Sequence, residues 1–213
     1  MFYEPKHGHG LPHNPFNAIV LPRPIGWIST RATDGSVNLA PYSFFNAIAY
    51  TPPQVMFSAT EGHQGAEGLK DSARVAIESG EFVANLATWA LREKMNTTST
   101  PAPPGIDEFD VAGLTKAECH CVRAPRVAES PVNLECTVVT HVPLRGTPGV
   151  TPATMVIGEV VGVHIADELL VDGLVDVTRL DAIGRLGYRQ YVRVTEAFEM
   201  TRPGWPVPGS TRE

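Results

Sequence analysis

What this chain is short of narrows its function first. No stretch approaches the ~18 consecutive apolar residues that a membrane-spanning helix needs. Residues 1–13 hold Glu4, Lys6, three histidines and two prolines where a secretory signal would carry an apolar core. Cysteine is scarce and odd in number, at three, which argues against a disulfide framework and for a reducing compartment. A cytoplasmic location is the expectation. Positive charge is in deficit, 17 basic against 23 acidic residues for a net −6, and no basic stripe interrupts it. Nucleic acid and anionic membrane are therefore poor partners. No Gly-x-Gly-x-x-Gly follows a strand and no Gly-x-Ser-x-Gly elbow occurs, which removes a Rossmann nucleotide site and a serine hydrolase. Cys119-His120-Cys121 offers metal-capable residues, but a zinc site needs a second pair, and none is present. Alternation would place Cys119 and Cys121 on one face as small buried hydrophobes. His7, His9 and His13 lie in a Gly/Pro-rich arm and read as exposed loop residues, with a metal role as the rarer alternative. No metal site is assigned.

Glycine and proline, by contrast, are abundant at 19 each and divide the 213 residues into short periodic segments. The length suits one domain over 1–213. Segments 54–59, 81–86, 134–142, 155–165 and 191–199 read as strands, rich in Val, Ile, Phe and Thr and bounded by turn residues. Segments 68–78 and 88–95 read as helices. So little helix excludes a repeating βαβ sheet, and the expected fold is mainly β: an antiparallel barrel with a few peripheral helices. Around it lie an N-terminal arm (1–15), a proline-rich loop (96–107) and an aperiodic tail (202–213) that frays or crosses to a partner subunit.

Residues 22–46 carry the most telling pattern. A short apolar strand over 25–29 runs into small hydroxyl residues, Asp34-Gly35 marks a hairpin turn, and a second strand is crossed by Pro41. Proline cannot donate to a ladder, so the backbone over 38–43 is expected to leave regular pairing. Irregular backbone beside Ser, Thr, Asn and aromatic side chains suits a flat polar ligand.

Specific motifs extend this pattern. Pro22-Arg23-Pro24-Ile25, Ser29-Thr30, Asp34-Gly35, the run Asn-Leu-Ala-Pro-Tyr-Ser-Phe-Phe-Asn over 38–46 and Pro52-Pro53 are followed by Gly68-Leu69-Lys70-Asp71-Ser72. Gly-Glu-Phe-Val-Ala-Asn-Leu over 80–86, Ala-Glu-Ser-Pro-Val-Asn-Leu-Glu-Cys over 128–136 and Gly184-Arg185-Leu186-Gly187 complete the set. In this order they resemble the flavin reductase-like family, of the flavoredoxin and two-component monooxygenase reductase type. The resemblance implies a split β-barrel homodimer that carries FMN, less often FAD, near the subunit interface. It also implies an NAD(P)H-dependent flavin reductase: hydride passes to flavin N5, then on to an acceptor or a partner monooxygenase. The alternative is an electron-transfer or flavin-binding protein without nicotinamide activity.

Carried over residue by residue, the resemblance sets Ala40, Pro41, Tyr42 and Ser43 against the flavin ring, with Asn38 and Asn46 in the same segment. One of Phe44 and Phe45 points inward by alternation. Hydroxyls and a guanidinium at Ser29, Thr30 and Arg31 suit a phosphate or ribityl chain, or else make a solvated strand end. Ser58, Ala59 and Thr60 close another strand, which the family places near ribityl or phosphate. Lys70, Asp71 and Ser72 open a helix whose N-terminus attracts an anion, the other reading being an ordinary helix cap. Ser72 stands where the family usually shows Thr. Arg185, Arg189 and Tyr191 are candidates for the second-substrate wall, where an arginine could meet a dinucleotide phosphate. An Arg–Glu pair or a dimer contact is the other reading. Leu-Gly-Tyr at 186–188 replaces the family's usual Leu-Gly-Gly and implies a stiffer loop. Hydride transfer requires no side-chain acid or base, so no catalytic residue is assigned.

Overall fold

A computed structural model of the chain describes residues 1–60, 68–103, 105–148, 150 and 152–205. Seven strands form one antiparallel sheet: β1 (Gly26–Arg31), β2 (Val37–Tyr42), β3 (Phe45–Tyr50), β4 (Pro53–Ala59), β5 (Glu81–Leu86), β8 (Val132–Pro143) and β9 (Thr154–Ile165). Two-residue strands β6 (Lys116–Ala117) and β7 (Arg126–Val127) pair with each other between β5 and β8. The spatial order is β2-β1-β5-β8-β9-β4-β3. β2 and β3 end this order yet are separated in the chain only by Ser43 and Phe44, so the sheet must curl until its two edges meet. Closure is tight: a Cβ on Gly26 would lie 2.4 Å from the Phe45 ring, so only glycine lets β1 pass β3 there. Of the two phenylalanines, Phe45 is the one packed on the core.

Both faces of β1 are buried, the hydroxyl residues Ser29 and Thr30 included. Ile28, Phe57, Phe82 and Val156 fill the barrel. Trp27, Leu39, Met95 and Phe109 form a second core outside it. That outer core is covered by helices α3 (Arg92–Thr97) and α4 (Glu108–Ala112). Helix α2 (Asp71–Ser79) touches β1, β2, β4, β5, β8 and β9, so it lies across one mouth of the barrel, with Ala73 and Ala76 in the inner core. The short helix α1 (Phe16–Ile19), the hairpin β10 (Leu170–Val171) with β11 (Leu174–Val175), and the pair β12 (Ile183–Arg185) and β13 (Tyr191–Arg193) complete the described chain.

The expected mainly β, split-barrel architecture is what is observed, with several local corrections. Pro41 does not break β2, which pairs with β1 in register from Val37 to Tyr42. β2 is an edge strand, so the proline nitrogen points away from the ladder and no bond is lost. The expected helix 88–95 is helical only from Arg92, because Thr88 is drawn into a bridge with Ala182 and Trp89 N–H donates to the Asp181 carbonyl. That helix runs on to Thr97, the first part of the expected 96–107 loop, and Asp107 at the loop's end caps α4. The expected strand 191–199 stops at Arg193, since β12 offers only three partners. Pro104 and residues 206–213 of the expected loop and tail lie outside the described residues. No helix among the described residues is long and apolar enough to cross a membrane.

Candidate functional site

A groove runs along the free edge of β2. Its first compartment, about 200 Å³, lies between Asn38–Tyr42, the start of α2 and the 98–102 segment. A second, about 140 Å³, continues past Pro41 and Ser99 to Ser43, Asn96 and Tyr191. A third, about 530 Å³, opens beyond Arg185 and Tyr191 toward Trp89.

The local sequence explains the first compartment. In an antiparallel ladder alternate residues turn their main-chain groups outward, and Leu39 and Pro41 are the outward pair here. The Leu39 N–H is taken by Glu108 at 3.0 Å within the buried core, and Pro41 has no N–H, so the Pro41 carbonyl is what this edge presents to the groove. Glu108, 8% exposed, also accepts from the Asn38 amide with both oxygens at 3.1 Å. Asn38 Oδ1 in turn accepts from the Ser72 hydroxyl at 2.5 Å. A fixed chain results in which every proton points toward Glu108. Burial raises the Glu108 pKa, and the Leu39 amide works against that rise. Beside it, burial pushes the Tyr42 phenol up to about 12, eased by the Ser72 hydroxyl. Thr98 accepts from the Trp27 indole at 2.9 Å and donates to the Met95 carbonyl at 2.8 Å, which pins the 98–102 segment over the groove.

Asn38, Ala40, Pro41, Tyr42, Ser43, Lys70, Asp71 and Ser72 thus come together around the groove. At the helix start the Lys70 carbonyl accepts from the Ala73 and Arg74 N–H groups, and its ammonium has no hydrogen bond or ion pair among the described residues. Asp71 instead pairs with Arg74 at 2.7 Å. Ser58, Ala59 and Thr60 close β4 next to α2, where Ala59 shares a core with Ala73, but they do not line the groove. Ser29 and Arg31 are elsewhere engaged. Ser29 donates to the Pro125 carbonyl at 2.6 Å inside a buried network with Asn85 and Asn133. Arg31 donates to the Arg123 carbonyl. Thr30 is fully buried, and its hydroxyl has no partner among the described residues. Asn46 is exposed on β3 and accepts from its neighbour Ala47.

At the other end, Arg185 lies 4.6 Å over the Tyr191 ring and donates to the Tyr191 hydroxyl and the Tyr188 carbonyl. Tyr188 adopts φ +53°, the left-handed region where the family's usual glycine is at ease. Arg23 braces this wall. Its main chain pairs with Arg185, and its buried guanidinium donates to the carbonyls of Asn17, Val20 and Leu186. Glu108, Thr98 and Ser99 carry no signal in the sequence, and Arg23 enters there only within the Pro22-Arg23-Pro24-Ile25 motif, without a role. An N-cap aspartate at 107 was the available signal for α4, and nothing local marks Glu108 as buried.

The Cys119-His120-Cys121 stretch is a bent loop, not a strand, so alternation fails there and Cys121 is exposed while Cys119 is half-buried. The loop wraps Glu135, which accepts from the backbone N–H groups of His120, Cys121 and Val122 and from His164 Nε2. Burial would raise this carboxyl, but those donors outweigh it and hold it at about 2. Cys119, Glu135 and His164 bring ligand-type atoms within 4.8 Å of one another. Burial, then the Glu135 charge, push the Cys119 thiol up to about 12.

Comparison with known proteins gives a consistent result. The model of the flavin reductase like domain matches residues 18–181. An uncharacterised protein of Halalkalibacterium halodurans is 38% identical over 184 residues, 86% of this chain and 87% of that protein. Among solved structures, nitrilotriacetate monooxygenase component B from Bacillus cereus is similar with a TM-score of 0.80 and 33% identity, covering 86% of this chain and 90% of its own. The 2-nitrobenzoate 2-nitroreductase of Pseudomonas fluorescens gives 0.78 and 26%, over 92% and 91%.

Proposed function

The chain belongs to the flavin reductase-like family, and on that footing we propose that it is an FMN-dependent oxidoreductase that takes hydride from NAD(P)H. The observation that carries this reading is the groove's division of labour: a cationic helix end, an acceptor-lined strand edge and an arginine-rich opening, in that order. These suit, in turn, a phosphate, a ring bearing an N–H donor, and a second anionic substrate. Lys70 and the opening N–H groups of α2 would hold the FMN phosphate, with Ser58, Ala59 and Thr60 behind them. Asn38, Ala40, Pro41, Tyr42 and Ser43 would hold the ring, and Ser99 would serve the ribityl chain. When bound, FMN supplies the hydride-accepting ring and passes electrons onward. The protein's own part is to bind and orient. Glu108 fixes the Asn38 amide, and Arg23 and Tyr188 fix Arg185 against Tyr191.

The onward acceptor is proposed to be a small molecule or a partner monooxygenase, by similarity to component B of nitrilotriacetate monooxygenase. A homodimer is proposed through the C-terminal half of β9, where Val161, Val163 and Ile165 alternate along one face and are all exposed. The test is anaerobic mixing of the FMN-loaded protein with NADH and with NADPH. Loss of the yellow absorbance with either supports the reading, and persistence with both refutes it.

A further inference from the structure

The third compartment extends well beyond the strand edge proposed for the flavin, and its charge is unusual for this chain. Four arginines, Arg92, Arg185, Arg189 and Arg193, line it against a single lining carboxylate, Glu93. Two are accounted for: Arg193 is held by both oxygens of Asp181, at 2.6 and 2.9 Å, and Arg92 lies 3.4 Å from Glu93. Arg185 contacts only a phenol and a carbonyl, and Arg189 forms no hydrogen bond or ion pair among the described residues. A third guanidinium without a carboxylate, Arg23, lies buried behind Arg185, and its pKa is lowered by burial and then by the Arg185 charge. Such a cluster in a protein of net charge −6 is costly until an anion enters it.

The cleft also has a planar wall. The Trp89 ring is flanked by the guanidiniums of Arg92 at 4.0 Å and Arg193 at 4.9 Å, so flat cationic faces meet the opening. Guanidinium planes stack on purine rings and bind phosphate through two N–H groups at once. A nucleotide lacking the 2′-phosphate is instead recognised by a free carboxylate on its ribose hydroxyls. Here Asp181 is held by Arg193 through both oxygens, and Glu93 is a solvent-exposed carboxylate 3.4 Å from Arg92.

We propose that this cleft receives the adenosine 2′-phosphate end of the nicotinamide donor, with Arg189 as its principal phosphate partner and Arg92 and Arg193 against the adenine, so that the protein selects NADPH over NADH. The proposal rests on the reductase reading above and is tested separately from it. Calorimetric titration of the FMN-loaded protein compares adenosine 2′,5′-bisphosphate with adenosine 5′-monophosphate. The bisphosphate is expected to bind at least about tenfold tighter, and Arg189→Ala to remove most of that margin. Arg92→Ala should weaken both ligands through the lost stacking face. In anaerobic bleaching, Arg189→Ala should raise the KM for NADPH about tenfold and leave that for NADH nearly unchanged. Equal affinity for the two adenosine ligands, or an Arg189→Ala variant that keeps the preference, overturns the proposal even if both nucleotides bleach the flavin. Preference for the bisphosphate with no bleaching by either nucleotide leaves the cleft assignment standing and removes the reductase reading.

Discussion

Replacing Glu108 tests whether the groove's proton pattern is set by this buried carboxylate. In Glu108→Ala the Leu39 N–H, fully buried, loses its 3.0 Å acceptor, and the Asn38 amide loses both 3.1 Å contacts. An unpaired buried amide plus a lost charge-assisted bond amount to about 2–4 kcal/mol, to be read as a lower denaturant midpoint. Glu108→Gln is the informative variant. A glutamine oxygen can still serve Leu39, but its NH₂ then faces the Asn38 NH₂, and Asn38 must turn its amide over. Asn38 would then donate to Ser72, and the Ser72 hydroxyl, now committed to Asn38, would become free to donate into the groove. One gained hydrogen bond is worth about 0.5–1.5 kcal/mol, so FMN affinity is expected to rise about two- to tenfold, measured by fluorescence titration. Loss of the Glu108 charge acts in the same direction for an anionic ligand. The pH dependence follows from the raised pKa: the folded state binds this proton more tightly than the unfolded chain does. The carboxyl's stabilising contribution is therefore present at low pH and lost as pH rises through its folded pKa. Glu108→Gln should abolish that loss. Weaker FMN binding in the glutamine variant, with the fold intact, would refute the relay and make Glu108 itself a ligand contact.

Four further outcomes follow from other parts of the fold. Lys70→Ala is expected to weaken FMN binding by more than about tenfold, as loss of a charge-assisted phosphate contact should; an unchanged titration curve would return Lys70 to a solvated helix end. Glu135 is held at about 2 against an ordinary 4.5, so its contribution is present above pH 4.5 and lost as pH falls through about 2. That gap corresponds to about 3 kcal/mol, and Glu135→Gln should lose it at neutral pH and flatten the acid limb of a thermal-stability profile. At position 188, held at φ +53°, glycine should be more stable than alanine by about 1 kcal/mol in chemical denaturation, the reverse of the order on an ordinary strand or helix. Val163→Glu, on the 56%-exposed face of β9, should shift the sedimentation of the proposed dimer toward monomer without altering its strand signal in circular dichroism.

How far the sequence discloses this molecule depends on the range over which each feature is determined. Strands β4 and β5 are legible almost to the residue because each is an apolar run closed by local punctuation, Pro52 before one and Gly80 before the other. Pro41 is misleading for the opposite reason. Its effect depends on whether its strand is central or at an edge, and that is decided by β1 and β5 pairing across some 55 residues of chain. The groove-lining residues between Asn38 and Ser43 are legible as a motif, while the atoms they present are not. The outward Pro41 carbonyl follows from register, and the orientation of Asn38 follows from Glu108, 70 positions away on a five-residue helix too short to show periodicity. Ser72 illustrates the consequence. As a residue type beside Lys70 it reads as a phosphate donor, yet its proton already points to Asn38. Residue type and spacing therefore identify which side chains meet in the groove, but the direction of each hydrogen bond, and with it the part of a ligand each can serve, is set by the tertiary fold.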